Sequence, residues 1–141
     1  MSRFFPFINS APNRWHMEEC QTLLIAEPDE DLATSLVPWL SEKGYTVKIV
    51  DSIKDVLITV QGEKIHALVM DVCLPANMGT EVISIIKSLR RDLPIIVTTD
   101  ENNPELESSI RQKGIFYYHV KSFGMDELML AINNAMARSS R

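Results

Sequence analysis

The amino-acid sequence predicts an α/β fold built on a single doubly wound sheet of five parallel strands. Five short apolar runs alternate with segments of helical periodicity from residue 22 onward, a pattern typical of βα units on a parallel sheet. Polar or charged residues close four of these five runs, as expected where strands end at a ligand-binding edge. With 141 residues, 45% of them hydrophobic, the chain suits one domain with one core.

The apolar runs predict the five strands in chain order. They are TLLIA (22–26), YTVKIV (45–50), HALVMD (66–71), PIIVT (94–98) and IFYYHV (115–120). Each run is short, and the segment that separates it from the next is long enough for a helix.

Apolar residues at helical spacing predict three of the helices, and capping signals predict the other two. The apolar sets are Leu32, Leu36, Val37 and Leu40; Val82, Ile83, Ile86 and Leu89; and Leu128, Ile132 and Ala135. Ser52 with Asp55 resembles a capping box, and Asn103 before Pro104 supplies an N-cap followed by a helix-starting proline. Pro38 predicts a kink or early break in the first helix, because proline removes a backbone hydrogen bond.

The first 20 residues differ from the rest of the chain, since they are rich in aromatic residues and lack periodicity. They are expected to form a flexible N-terminal extension, or an upstream segment if translation starts at Met17. The alternative is a docking segment. Its aromatic residues would be Phe4, Phe5, Phe7 and Trp15. Residues 21–138 are expected to form the folded domain and residues 139–141 a C-terminal tail.

The charge and the cysteines exclude several classes of function. A formal net charge of -5 and a pI near 5.2 argue against direct nucleic-acid binding and favour a protein partner. Cys20 and Cys73 show neither metal-type spacing nor a disulfide framework, so we expect a reducing compartment. No apolar stretch has the form of a secretory signal, so we predict a cytoplasmic protein that does not bind membranes.

Side chains able to do chemistry collect where the predicted strands end. In chain order they are Glu27 with Asp29, then Asp71, then Thr98 and Thr99, and finally Lys121. Parallel strands place their carboxyl ends along one edge, so these groups should converge there. Such a set suits a divalent cation with oxygen ligands and a phosphoryl group. Asp71 would be the nucleophile, since carboxylates form aspartyl phosphates. Lys121 would pair with Asp71 or with the phosphoryl oxygens, and the Thr99 hydroxyl would donate to a phosphoryl oxygen.

From about residue 22 to residue 137, the chain resembles a response-regulator receiver domain of bacterial two-component signalling. The segment DVCLPANMG resembles the phosphoacceptor loop of that family, with Asp71 as the acceptor. PIIVTTD resembles its fourth strand, with Thr99 as the switch hydroxyl. YHVKSF resembles its fifth strand, with Tyr118 as the switch aromatic residue and Lys121 as the phosphate-side lysine.

This resemblance implies a flavodoxin-like receiver fold with strand order 2-1-3-4-5 and five helices. It also implies magnesium as the cofactor. The ligands would be Glu27, Asp71, the backbone carbonyl of Cys73 and, as a weaker candidate, Asp29. Asp29 could equally be the N-cap of the first helix.

The same resemblance implies a single-domain receiver that accepts a phosphoryl group on Asp71 from a sensor histidine kinase or a phosphotransfer protein. It would then signal to a downstream protein by repacking the face of the fourth helix, fifth strand and fifth helix, which is also a candidate dimer surface. We expect no enzyme activity beyond self-catalysed phosphotransfer and dephosphorylation. A phosphatase with an aspartate nucleophile is disfavoured, because Cys73 stands where such enzymes place a second aspartate.

Three departures from the family pattern motivate an alternative. Pro28 stands where the family has a second acidic residue that binds magnesium, and Ser122 stands where it has a proline. Asp100 follows Thr99 where the family favours a small residue. The alternative function is therefore a degenerate receiver that acts as a phosphorylation-independent interaction module.

Overall fold

Strands and helices alternate along the computed structural model, which describes residues 3–5, 20–74 and 80–139. The strands are β1 (Arg3–Phe5), β2 (Thr22–Ala26), β3 (Thr46–Val50), β4 (Ala67–Asp71), β5 (Ile95–Thr99) and β6 (Tyr117–Val120). The helices are α1 (Glu30–Ser35), α2 (Val37–Glu42), α3 (Ile53–Gly62), α4 (Glu81–Leu89), α5 (Pro104–Arg111) and α6 (Met125–Ser139). A single 3₁₀ turn, Lys121–Phe123, joins β6 to α6.

The sheet has the strand order β1-β3-β2-β4-β5-β6. Strands β2 to β6 pair in parallel, and they correspond to the five predicted strands in the predicted order 2-1-3-4-5. The predicted fold is therefore confirmed.

Strand β1 is an addition that the sequence did not predict. It pairs antiparallel with β3, with Arg3 opposite Ile49 and Phe5 opposite Val47, so it covers the rim of the parallel sheet. It lies within the segment predicted as a flexible extension. The other residues of that segment named above, Phe7, Trp15 and Met17, lie outside the described residues.

The predicted first helix is divided into α1 and α2 at Leu36. Pro38 occupies the first turn of α2, where its missing N–H has no helical partner to lose. The predicted break is thus confirmed. Both capping signals are also confirmed, because Ser52 accepts a hydrogen bond from Asp55 N–H at 3.2 Å and Asn103 accepts one from Leu106 N–H at 3.0 Å.

The apolar core lies in two layers, one on each face of the sheet. One layer packs the sheet against α3, α4 and α5, and the other packs it against α1, α2 and α6. All five residues of β4 are buried, because this strand lies at the centre with helices on both faces.

The C-terminal helix ends one residue beyond the predicted domain boundary. Ser139 closes α6 and donates a hydrogen bond to the carbonyl of His66, so it belongs to the folded part rather than to the tail.

In the three described ranges, every helix is too short or too polar to cross a membrane.

Candidate functional site

Three strands deliver an acidic or basic side chain to one end of the sheet. Glu27 follows β2, Asp71 ends β4, and Lys121 follows β6. Glu27 is 4% exposed and Asp71 is 2% exposed. Two buried carboxylates are costly unless they are paired, so their partners decide the chemistry of this site.

Lys121 is the partner of both carboxylates. Its Nζ lies 2.8 Å from Glu27 Oε1 and forms a second, closer ion pair with Asp71 Oδ2. A third carboxylate, that of the exposed Asp100, approaches Nζ to 3.7 Å from the solvent side. The sequence predicted the pair of Lys121 with Asp71, and the structure adds Glu27 and Asp100 to it.

The remaining oxygens of the two buried carboxylates accept backbone hydrogen bonds. Cys73 N–H donates to Asp71 Oδ1 at 2.6 Å, and Asp29 N–H donates to Glu27 Oε2 at 3.0 Å. All four carboxylate oxygens therefore have a partner within the protein. We define this set as the Lys121 cluster: Glu27, Asp71 and Lys121 with the two donating amides.

Burial and pairing shift the proton affinities in the Lys121 cluster. Burial and the nearby charge of Asp71 raise the pKa of Glu27 above its ordinary value, although the hydrogen bonds with Lys121 and Asp29 act to lower it. Burial also acts to lower the pKa of Lys121, but its hydrogen bonds and charge pairing with Asp71 and Glu27 outweigh burial and raise it above its ordinary value. The ammonium group is therefore a persistent positive charge between the carboxylates.

Thr99 and Tyr118, the predicted switch residues, are both buried beside this site. Thr99 is the last residue of β5, and its Oγ1 accepts a hydrogen bond from Glu101 N–H at 3.3 Å. Tyr118 packs into the core layer of α3, α4 and α5. Burial raises the pKa of the Tyr118 phenol, and its hydroxyl has no hydrogen-bond partner among the described residues.

The predicted metal ligands do not all come together. Asp29 caps α1, since its Oδ1 accepts from Asp31 N–H at 3.0 Å and Leu32 N–H at 3.3 Å. Within the described ranges, no group of three or more His, Cys, Asp or Glu side chains could hold a metal ion. Glu27 and Asp71 are the predicted side-chain ligands that do lie together, and Lys121 contacts both of them.

Two features of this region were missed by sequence reasoning. The amides of Cys73 and Asp29 were not predicted as donors, because backbone direction in a loop leaves no sequence signal. His119 was read only as part of an apolar run. It is 1% exposed and lies in a cross-strand row with Thr98 and Asp71, and burial lowers its pKa.

Comparison with known protein families shows to which family the chain belongs. A family described as "Response regulator receiver domain" matches residues 23–133. That range contains every residue of the Lys121 cluster as well as Thr99 and Tyr118.

Curated proteins with similar sequences are longer than this chain. The DNA-binding transcriptional regulator NtrC of Rhizobium meliloti (strain 1021) is 29% identical over 120 residues, which are 85% of this chain and 25% of that protein. The response regulator MprA of Mycobacterium leprae (strain TN) is 30% identical over 117 residues, 83% of this chain and 51% of that protein. The chain thus spans between a quarter and half of the length of these relatives.

Solved structures agree on the fold. A CheY-like receiver domain protein from Methanospirillum hungatei JF-1 matches with a TM-score of 0.78 and 22% identity, covering 86% of this chain and 98% of that one. The beryllofluoride-activated NtrC4 receiver domain dimer matches with a TM-score of 0.77 and 23% identity, covering 84% and 98%.

Proposed function

Because the chain belongs to the response-regulator receiver domain family, we propose that it accepts a phosphoryl group on Asp71 and passes the signal on through a protein-binding surface. The donor is a sensor histidine kinase or a phosphotransfer protein. One observation carries the proposal: the Asp71 carboxylate ends the central strand and is held by the Cys73 amide and the Lys121 ammonium.

The site residues support an in-line transfer to Asp71. An Asp71 oxygen attacks the phosphorus atom of a phosphohistidine, the new O–P bond forms, and the P–N bond breaks as the imidazole nitrogen takes a proton from solvent. Lys121 already contacts Asp71 and can follow the phosphoryl oxygens, where its charge stabilises the transition state. The Thr99 hydroxyl is the second donor for those oxygens. Asp71 is itself the acceptor, so the proposal includes no external substrate that is turned over.

The phosphoryl group adds a charge of about -1.5 to -2 at Asp71. This charge draws the Thr99 hydroxyl toward it and lets the buried Tyr118 side chain move. Tyr118 lies on β6, so the change reaches the face formed by α5, β6 and α6. Phe123 and Leu130, which are 58% and 61% exposed, supply apolar contacts near this face for a downstream protein or a second copy.

The proposed phosphorylation of Asp71 does not depend on whether the receiver domain is joined to an output domain. The relatives are longer than this chain, so the single-domain interpretation stays a prediction. The cytoplasmic location and the absence of direct nucleic-acid binding also stay predictions.

The test is intact mass spectrometry after incubation with acetyl phosphate and Mg²⁺ or with a phosphorylated histidine kinase. We expect one phosphoryl adduct on the wild type and none on Asp71→Asn. Asp51→Asn is the matched control, since Asp51 is an exposed aspartate that directly follows β3. An adduct that persists on Asp71→Asn, or a wild type that no donor modifies, would contradict the proposal.

A second candidate is favoured by Pro28 and by the pairing of both buried carboxylates with Lys121. The protein would then act as an interaction module that binds its partner without phosphorylation of Asp71. Asp71→Asn would then leave the affinity for a protein partner unchanged, whereas a phosphorylation-dependent receiver would lose its response to the donor.

A further inference from the structure

We propose that Lys121 replaces the divalent cation in this receiver. Its ammonium group balances the charge of Glu27 and Asp71, so the pocket does not bind Mg²⁺, and Asp71 takes up its phosphoryl group without a metal ion. The second half of this inference rests on the proposed function, and the first half does not.

The Lys121 cluster supplies the positive charge where a cation would be needed. Nζ lies 2.8 Å from Glu27 Oε1 and closer still to Asp71 Oδ2. Amide hydrogen bonds occupy the two other oxygens, Asp71 Oδ1 and Glu27 Oε2. An incoming metal ion would have to compete with the ammonium group and these amides for the same carboxylate oxygens.

The donor set for a metal is also incomplete. Mg²⁺ takes six oxygen ligands in nearly octahedral geometry, of which protein carboxylates supply one or two and water supplies several. Pro28 directly follows Glu27 and has no side-chain oxygen, and the Asp29 side chain is used to cap α1. Of the predicted ligands, the carboxylates of Glu27 and Asp71 and the Cys73 backbone carbonyl remain, and both carboxylates are already paired with Lys121.

Transfer from acetyl phosphate can proceed with this lysine alone. An Asp71 oxygen forms the bond to phosphorus, the bond from phosphorus to the acetate oxygen breaks, and acetate leaves as an anion. The step needs no proton and no redox partner. Lys121 shifts from its contact with Asp71 Oδ2 to the phosphoryl oxygens, while Glu27 stays on its other side.

The first experiment measures Mn²⁺ binding by the electron paramagnetic resonance signal of the free ion, because Mn²⁺ takes the same oxygen ligands as Mg²⁺. We expect no saturable loss of signal with the wild type. Pro28→Asp restores a third carboxylate and should bind the ion. Gln61→Asp is the matched control, since it adds one carboxylate on the exposed end of α3.

A second variant, Lys121→Met, tests the lysine directly by removing the competing ammonium group, and it should also gain Mn²⁺ binding. Pro28→Asp keeps the test valid if Lys121→Met fails to fold. Saturable binding by the wild type overturns the inference. So does a failure of both variants to gain binding, because the lysine and the missing carboxylate would then not be what excludes the ion.

The second experiment compares phosphorylation by acetyl phosphate in EDTA and in Mg²⁺ by intact mass. We expect the same extent and rate of adduct formation in both. An adduct only in Mg²⁺ overturns this inference and leaves the proposed function standing. No adduct in either condition overturns this inference, and the proposed function fails with it only if a phosphorylated histidine kinase also leaves the wild type unmodified.

Discussion

At the residue scale, the site depends on one partly buried lysine that pairs with two buried carboxylates. The convergence of Glu27, Asp71 and Lys121 could be predicted from the sequence, because parallel strands end at one edge. The sharing of Lys121 between the two carboxylates could not be predicted, since it depends on the torsions of three side chains. The role of Asp29 was left open for a similar reason, because an acidic residue before a helix suits both a cap and a ligand.

The first prediction concerns the folding contribution of that lysine. Lys121→Met leaves Glu27 and Asp71 buried without a cation, and we expect the free energy of unfolding at pH 7 to fall by about 3 to 5 kcal/mol. Urea unfolding measures this loss. Lys64→Met, an exposed lysine ahead of β4, should change stability by no more than about 0.5 kcal/mol. Equal effects of the two substitutions would show that the Lys121 ion pairs add little to stability.

The second prediction concerns His119 and pH. Burial lowers its folded-state pKa below the ordinary value of 6.5, so the unfolded chain binds more protons just below pH 6.5. The free energy of unfolding therefore rises with pH through the window that ends near 6.5, and it falls as the pH drops through that window.

His119→Leu should remove this slope, which is at most about 1.4 kcal/mol per pH unit for one proton. Urea unfolding of both proteins at a series of pH values between 4.5 and 7.5, roughly the range over which histidine titrates, provides the measurement. A slope that persists unchanged in His119→Leu would assign the acid sensitivity to other groups.

At the element scale, local signals predicted most boundaries well. The break at Leu36 and the starts of α3 and α5 follow from single residues whose backbone preferences or side-chain oxygens act locally. The formation of strand β1 does not follow from a local signal of this kind. It is only three residues long, and its partner β3 lies more than 40 residues away in the chain, so pairing could not be inferred from pattern.

The third prediction tests the cap of α5. Asn103→Ala removes the acceptor for Leu106 N–H, and we expect a loss of about 1 kcal/mol in the free energy of unfolding. The neighbouring exposed Asn102 provides the control, because Asn102→Ala leaves that hydrogen bond in place. If both alanine variants unfold at the same denaturant concentration, the cap contributes nothing measurable.

At the scale of the whole molecule, the two core layers hold the parallel sheet and β1 closes its outer rim. The order of the strands came from the resemblance to receivers, because alternation alone fixes the class of fold but not which strand lies at the centre. The position of Asp71 on that central strand then follows from the order.

The fourth prediction concerns this rim. A variant that lacks residues 1–5 loses β1, the outer of the two strands that pair with β3, so the amides of Thr46–Val50 that bond to β1 should exchange hydrogen faster. Hydrogen–deuterium exchange with mass spectrometry resolves this peptide. Protection of β5, which pairs with β4 and β6 inside the sheet, should not change. Unchanged exchange in β3 would indicate that β1 does not protect this strand in solution.

Strand β1 also decides where the sheet could be continued by another molecule. A strand at the end of a sheet presents unpaired backbone groups that invite a further chain, and β1 takes up those of β3 along three residues. The opposite margin of the sheet is β6, which carries Tyr118 and leads into Lys121. A chain that docks by lengthening the sheet at β6 would therefore bind beside Tyr118 and Lys121, and the phosphorylation of Asp71 proposed above would change the surface that it meets.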